Sequence, residues 1–185
     1  AQMQHECILP DGGTFFFVFK SCGSLGALKE GQAFHSQIVN EVSLQTDPKI
    51  GTAIVDMYAK SGELLKSQEV FDGLEMKNVV SCNALIAGYS QHGLGDKALN
   101  CFQKMKLYDS APDDITFISI LKACASIGAI DKGQKIHAEI SRQGLLEGDA
   151  AIGSALVDMY VKCGLLADAE QVFGKLPFRD VVSWT

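Results

Sequence analysis

Hydrophobic residues fall along this chain in pairs of short helical runs, and each pair is joined at a glycine. Within residues 48–78, Ile50, Ala53, Ile54, Met57 and Tyr58 recur at three- and four-residue steps and stop near Gly62. A second run follows with Leu64, Leu65, Val70, Phe71 and Leu74. Residues 79–113 repeat the plan with Leu85, Ile86 and Tyr89, a break at Gly93, then Ala98, Leu99, Phe102 and Met105. Residues 114–149 give Phe117, Ile120, Leu121 and Cys124, a break near Gly128, then Ile136, His137 and Ile140. The pattern predicts helical hairpins of 31, 35 and 36 residues. Glycine suits each turn because it enters the left-handed region at little cost. Helices this short are marginal alone in water, so neighbouring hairpins must stabilise them.

The whole block then recurs. Cys22 returns as Cys124, His35 as His137, and Val79-Val80-Ser81 as Val181-Val182-Ser183, each 102 residues later. The strings AIVDMYAKSG (53–62) and ALVDMYVKCG (155–164) keep the same offset. Residues 22–83 and 124–185 align without a gap, with about four positions in ten identical. Residues 12–47 thus match 114–149, and 150–180 match 48–78. Pro112 fits the exit between two hairpins, where it restricts the chain before the next helix. The fold class expected is all-α, an α-solenoid of stacked antiparallel helix-turn-helix repeats that share their core along the array.

Composition narrows the functions. The chain is 185 residues long and 47% hydrophobic, enough for a substantial core. Its longest apolar runs fall far short of the ~20 residues that span a bilayer, so no membrane partner is expected. The net charge of −6 argues against holding nucleic acid by bulk electrostatics, while leaving room for a local basic track. The six cysteines form no CxxC pair; they read as small buried thiols rather than zinc ligands. The chain opens without Met and stops at Trp184-Thr185, where its sister block continues, so both ends read as cut.

Three stretches carry a family resemblance: NVVSCNALIAGYSQHGLGDKALNCFQKM (78–105), FISILKACASIGAIDKGQKIHAEI (117–140) and IGSALVDMYVKCGLLADAEQVFGKLPFRDVVSWT (152–185). They resemble pentatricopeptide repeats of the plant PLS subfamily, which alternates standard, long and short motifs. The resemblance makes 12–47 and 114–149 long motifs, 48–78 and 150–180 short motifs, and 79–113 a standard motif. Residues 1–11 would close a preceding standard motif and 181–185 would open another. It implies a right-handed solenoid that binds single-stranded RNA, one base per repeat. It also implies a role in organellar RNA editing or processing, in a mitochondrion or chloroplast, with editing-complex proteins as further partners. No cofactor, metal, small-molecule substrate or enzymatic activity is implied for this stretch.

In the family, the fifth motif residue reads a base together with the last residue of the same motif. Those positions match Thr52 with Asn78, associated with adenine, and Asn83 with Asp113, associated with uracil. They match Ser154 with Asp180, associated with guanine, while Thr185 would read for the next unit. The long motifs carry Phe16 and Ile118 there, which offer no side-chain hydrogen bond, and receive no base. The resemblance thus implies a preference for 5′-A-U-N-G-3′. The second motif residue packs on bases in the family, here Val80, Ile115 and Val182, and Lys60 and Lys162 match a phosphate-facing position.

Plainer roles compete. Asp and Asn just before a helix are common N-terminal caps, the second-position residues could be inter-repeat core, and the lysines could lie on a solvated face. His137-Ala138-Glu139 matches the H-x-E half of a zinc deaminase signature, but no P-C-x-x-C follows and the sister block reads His35-Ser36-Gln37. The rival architecture is a protein-binding scaffold of the tetratricopeptide type, whose constant 34-residue period fits the alternating lengths less well.

Overall fold

The computed structural model describes residues 11–38, 47–146 and 149–176, and every regular element among them is helical. Among the described residues ten α-helices follow one another along the chain, alternating a leading helix with a second one. They are α1 (Gly12–Leu25) with α2 (Leu28–Ile38), α3 (Pro48–Lys60) with α4 (Leu64–Gly73), and α5 (Val79–Gln91) with α6 (Gly95–Lys104). The remaining pairs are α7 (Asp114–Ile127) with α8 (Ile130–Arg142) and α9 (Ala150–Lys162) with α10 (Leu166–Lys175). A 3-10 turn, Met105–Tyr108, follows α6. The chain divides into two compact units that meet at Gly88 and Tyr89, inside α5.

In the N-terminal unit, α1 packs along α3, and α2 and α4 close the other side. Phe15, Phe19, Cys22, Ile38, Ile50, Ile54, Met57 and Tyr58 form one buried cluster. The approach is close enough that glycine is required. A Cβ on Gly31 of α2 would lie 2.8 Å from Met57 Sδ, and one on Gly88 would lie 2.6 Å from the Ala59 Cβ. Leu65, part of the expected apolar run, is instead exposed. It stands beside Leu64 on a short helix whose buried face is already filled by Leu64, Ser67 and Phe71.

The C-terminal unit repeats these contacts with different side chains. Leading helices α7 and α9 pack together, and α6 packs on α7, where Phe102 meets Phe117 edge-on at 6.3 Å between ring centres. A Cβ on Gly133 of α8 would lie 2.7 Å from Met159 Sδ, the counterpart of the Gly31–Met57 approach. Helix α7 ends at Gly128, whose φ of 64° lets its N–H reach the Cys124 carbonyl. Cys22, Cys82, Cys101 and Cys124 are buried cysteines, whereas Cys163 is half-buried.

Candidate nucleic-acid interface

Each leading helix described at its start is entered through a polar cap. Asp11, Asp47, Asp113 and Asp149 accept backbone N–H groups of Thr14, Lys49, Thr116 and Ala151 on a side-chain oxygen at 2.7–2.9 Å. Asn78 begins α5 with a reciprocal pair: its Oδ1 accepts the Ser81 N–H at 3.0 Å, and its own N–H donates to Ser81 Oγ at 3.0 Å. Asp113 and Thr116 form the same kind of box. Among the described residues, those that end the motifs are therefore N-caps, each worth about 1 kcal/mol. Capping leaves a carboxylate with acceptor capacity, since its two oxygens offer about four lone-pair sites.

The fifth-position residues differ from a freely projecting row. Thr52 and Asn83, both in the N-terminal unit, keep 8% and 7% of their surface, and Ser154 in the C-terminal unit is half-buried. Asp113, matched with Asn83, belongs to the C-terminal unit. Phe16 and Ile118 are half-buried. Val80 and Ile115 are 58% and 60% exposed, which overturns a role for them as inter-repeat core. Asp180, Val182 and Thr185 lie outside the described residues.

Charge gathers one turn further along the same faces. In the N-terminal unit Asp56 Oδ2 receives both Lys20 Nζ from α1 and Lys60 Nζ from its own helix, each at 2.9 Å. Two cations thus share one carboxylate, leaving a positive charge in excess. In the C-terminal unit Lys162 pairs with Asp158 at 2.9 Å. Lys60 and Lys162 are therefore paired within their helices, and a phosphate would have to share or displace those aspartates.

One repeated contact was missed from the sequence. His35 Nδ1 lies 3.0 Å from the Tyr58 hydroxyl, and His137 Nδ1 lies 2.8 Å from the Tyr160 hydroxyl. Both ring pairs meet edge-on at 5.6 Å. Each joins the second helix of a long hairpin to the leading helix of the short hairpin after it. Burial, aided by Lys66 for His35 and by Lys175 for His137, holds both imidazoles below their ordinary pKa of 6.5. The signal was available: histidine and tyrosine recur together, 23 residues apart, in both blocks. His137 is thereby engaged by Tyr160, and Glu139 pairs with Arg142, whose hydrogen bond lowers the carboxyl to about 2. No cluster of metal-binding side chains occurs among the described residues, and no described helix is long and apolar enough to cross a membrane.

These helical hairpins with capped leading helices define an α-helical repeat protein. The pentatricopeptide repeat model matches residues 52–79 and 154–181, and the PPR repeat family model matches 77–126, so the chain belongs to the pentatricopeptide repeat family. A chloroplastic pentatricopeptide repeat-containing protein of Arabidopsis thaliana is 39% identical over 183 residues, 99% of this chain and 29% of that protein. A mitochondrial relative from the same plant is 34% identical over 184 residues, 100% of this chain and 29% of that protein. The chain spans under a third of the length of these curated relatives. Among solved structures, PPR10 in complex with an 18-nt psaJ RNA element superposes with a TM-score of 0.79 at 15% identity. That match covers 99% of this chain and 28% of PPR10, and it supports an α-solenoid class.

Proposed function

We propose that the chain binds single-stranded RNA in a sequence-selective way, as a PLS-type segment of an organellar RNA editing or processing factor. The observation that carries the reading is the repeated construction of the leading helices. Each leading helix described at its start has a polar cap there, and in both short hairpins a lysine lies two turns beyond the fifth position. Asn78 and the aspartates at the other caps hold the helix ends rigid, so base reading and capping become one structure. Alternating hairpin lengths support the PLS assignment, and the chloroplastic and mitochondrial relatives support an organellar site of action. PPR10, the structural neighbour, was solved with an RNA element bound. On this reading Thr52 with Asn78 favours adenine, Asn83 with Asp113 uracil, and Ser154 with Asp180 guanine, with an unspecified nucleotide opposite the long motif. Val80 and Ile115, exposed and apolar, supply surface on which bases pack.

Selection from a random RNA library on the protein tests this directly. Enrichment of 5′-A-U-N-G-3′ is expected, and Asn83→Ser should move the second specified base from uracil toward guanine. Equal ranking of permuted RNAs, or a preference indifferent to Asn83→Ser, would remove the base assignments.

A further inference from the structure

Beyond the fifth position, both long-short hairpin pairs carry charge that capping and base reading leave unexplained. Lys20 follows Phe16 by four residues on α1, and Asp56 and Lys60 follow Thr52 at four-residue steps on α3. Such steps keep side chains on one side of a helix. Lys20 and Lys60 reach the same oxygen, Asp56 Oδ2, at 2.9 Å each, which makes their ammonium groups neighbours. The stem of Lys60 lies against α1 at Gly23, where an added Cβ would stand 3.5 Å from Lys60 Cδ. Asp56 keeps 13% of its side-chain surface, whereas Lys20 and Lys60 keep 43% and 38%. One carboxylate thus offsets one of two adjacent cations, and the remaining charge meets solvent. The same residue types recur 102 positions later as Lys122, Asp158 and Lys162. There Lys162 bonds Asp158, and Lys122 is exposed on α7 although α6 of the preceding hairpin packs on that helix. What recurs is therefore a lysine that reaches solvent, not a bridge between leading helices, and a covering hairpin does not bury it. The standard hairpin has Ala87 and Gln91 at the matching places.

We propose that Lys20 with Lys60, and Lys122 with Lys162, each bind one RNA phosphate. It is the phosphate that joins the nucleotide opposite a long hairpin to the nucleotide opposite the short hairpin after it. The inference rests on the RNA-binding reading above and gives the long hairpins, which that reading leaves without a base, a contact of their own. In each pair two lysines and one aspartate leave a single net positive charge, matched to the single negative charge of a phosphodiester. A bridge that only tied α1 to α3 would need one lysine; the second adds repulsion that an anion between them relieves. The charges begin one helical turn, about 5.4 Å, beyond the fifth residue. A base edge at the fifth position and a phosphate further along can therefore meet the same helix. In the order proposed above, the two phosphates are the one 5′ of the adenine and the one between the unspecified nucleotide and the guanine. The A-U and U-N linkages adjoin the standard hairpin, which brings no lysine of its own to those places.

The test is a set of single-stranded RNAs containing N-A-U-N-G, with 2′-O-methyl sugars, in which one linkage at a time is an uncharged methylphosphonate. Binding at low salt should weaken most for the N-A and N-G linkages and least for A-U and U-N. Lys20→Gln should make the slope of log K on log salt shallower by about 0.7, the increment for one phosphate of a single strand. It should also remove the penalty of the N-A methylphosphonate while leaving that of N-G, and Lys122→Gln should do the converse. Adding Asp56→Asn to Lys20→Gln returns a net positive charge to the cluster through Lys60 and should restore the slope. A lysine whose role was to hold α1 on α3 would gain nothing from the loss of its partner. Lys122 is exposed, so an unchanged melting curve of Lys122→Gln separates lost contact from lost fold. Slopes unaltered by Lys20→Gln and Lys122→Gln, equal penalties at all four linkages, or no recovery on adding Asp56→Asn would overturn the phosphate sites while leaving RNA binding intact. Failure of the unaltered protein to bind any of these RNAs would overturn both readings.

Discussion

The two long-short hairpin pairs, 12–78 and 114–176, are built on one plan yet differ where they face outward. Inside, the correspondence is close: Gly31 admits Met57 as Gly133 admits Met159, and His35 meets Tyr58 as His137 meets Tyr160. On the outward face of the N-terminal pair two lysines, Lys20 and Lys60, share Asp56. In the C-terminal pair one lysine, Lys162, sits on Asp158. Packing constrains the interior of each repeat to a narrow set of shapes. The solvent side carries no such constraint, and there the two copies are free to diverge.

Substitutions at matched positions sharpen that contrast. The largest effect is expected at Phe19, fully buried in the N-terminal core, where the other pair uses Leu121. Phe19→Ala should cost about 3–5 kcal/mol in urea unfolding, while Phe19→Leu, borrowing the residue of the sister pair, should cost much less. Equal losses would show that the two cores are not interchangeable in shape.

The histidine–tyrosine contacts come next and should behave alike. Tyr58→Phe and Tyr160→Phe should each cost about 0.5–1.5 kcal/mol. Because burial favours the neutral ring in the folded chain, the unfolded chain takes up its proton first as pH drops. Stability from these groups is therefore complete above the unfolded value of 6.5 and is lost as pH falls through the lowered folded values. Urea titrations on either side of pH 6.5 should show His35→Gln and His137→Gln removing similar shares of that acid loss. A clear inequality would break the equivalence of the two interiors.

The smallest effect distinguishes the surfaces. Asp56→Asn releases two lysines, Asp158→Asn one, and both aspartates serve pairs with substantially exposed lysines. Stability should fall by less than about 1 kcal/mol in either case. RNA affinity at low salt should rise more for Asp56→Asn, since it unmasks the larger cationic cluster.

Much of this was legible in the chain itself. The hairpins, their glycine turns and the equivalence of the two blocks follow from periodicity, because buried positions at helical spacing must recur wherever the same packing recurs. The caps were visible too, as Asp and Asn immediately before apolar runs, though spacing alone left capping and base reading side by side. The burial of Thr52 and Asn83 was not legible, because exposure depends on how closely adjacent helices approach. Nor was Leu65, whose place in an apolar run gave no sign that Leu64, Ser67 and Phe71 would complete the buried face without it.

Local sequence decided where the capped leading helices begin, since a cap needs only its own side chain and the three residues after it. Tertiary structure decided which side chains meet across sequence. The Lys20–Asp56 bridge spans 36 residues and the His35–Tyr58 bond spans 23. Such contacts depend on rotation and separation of packed helices, quantities set by volumes summed over both interfaces and not written at any single position.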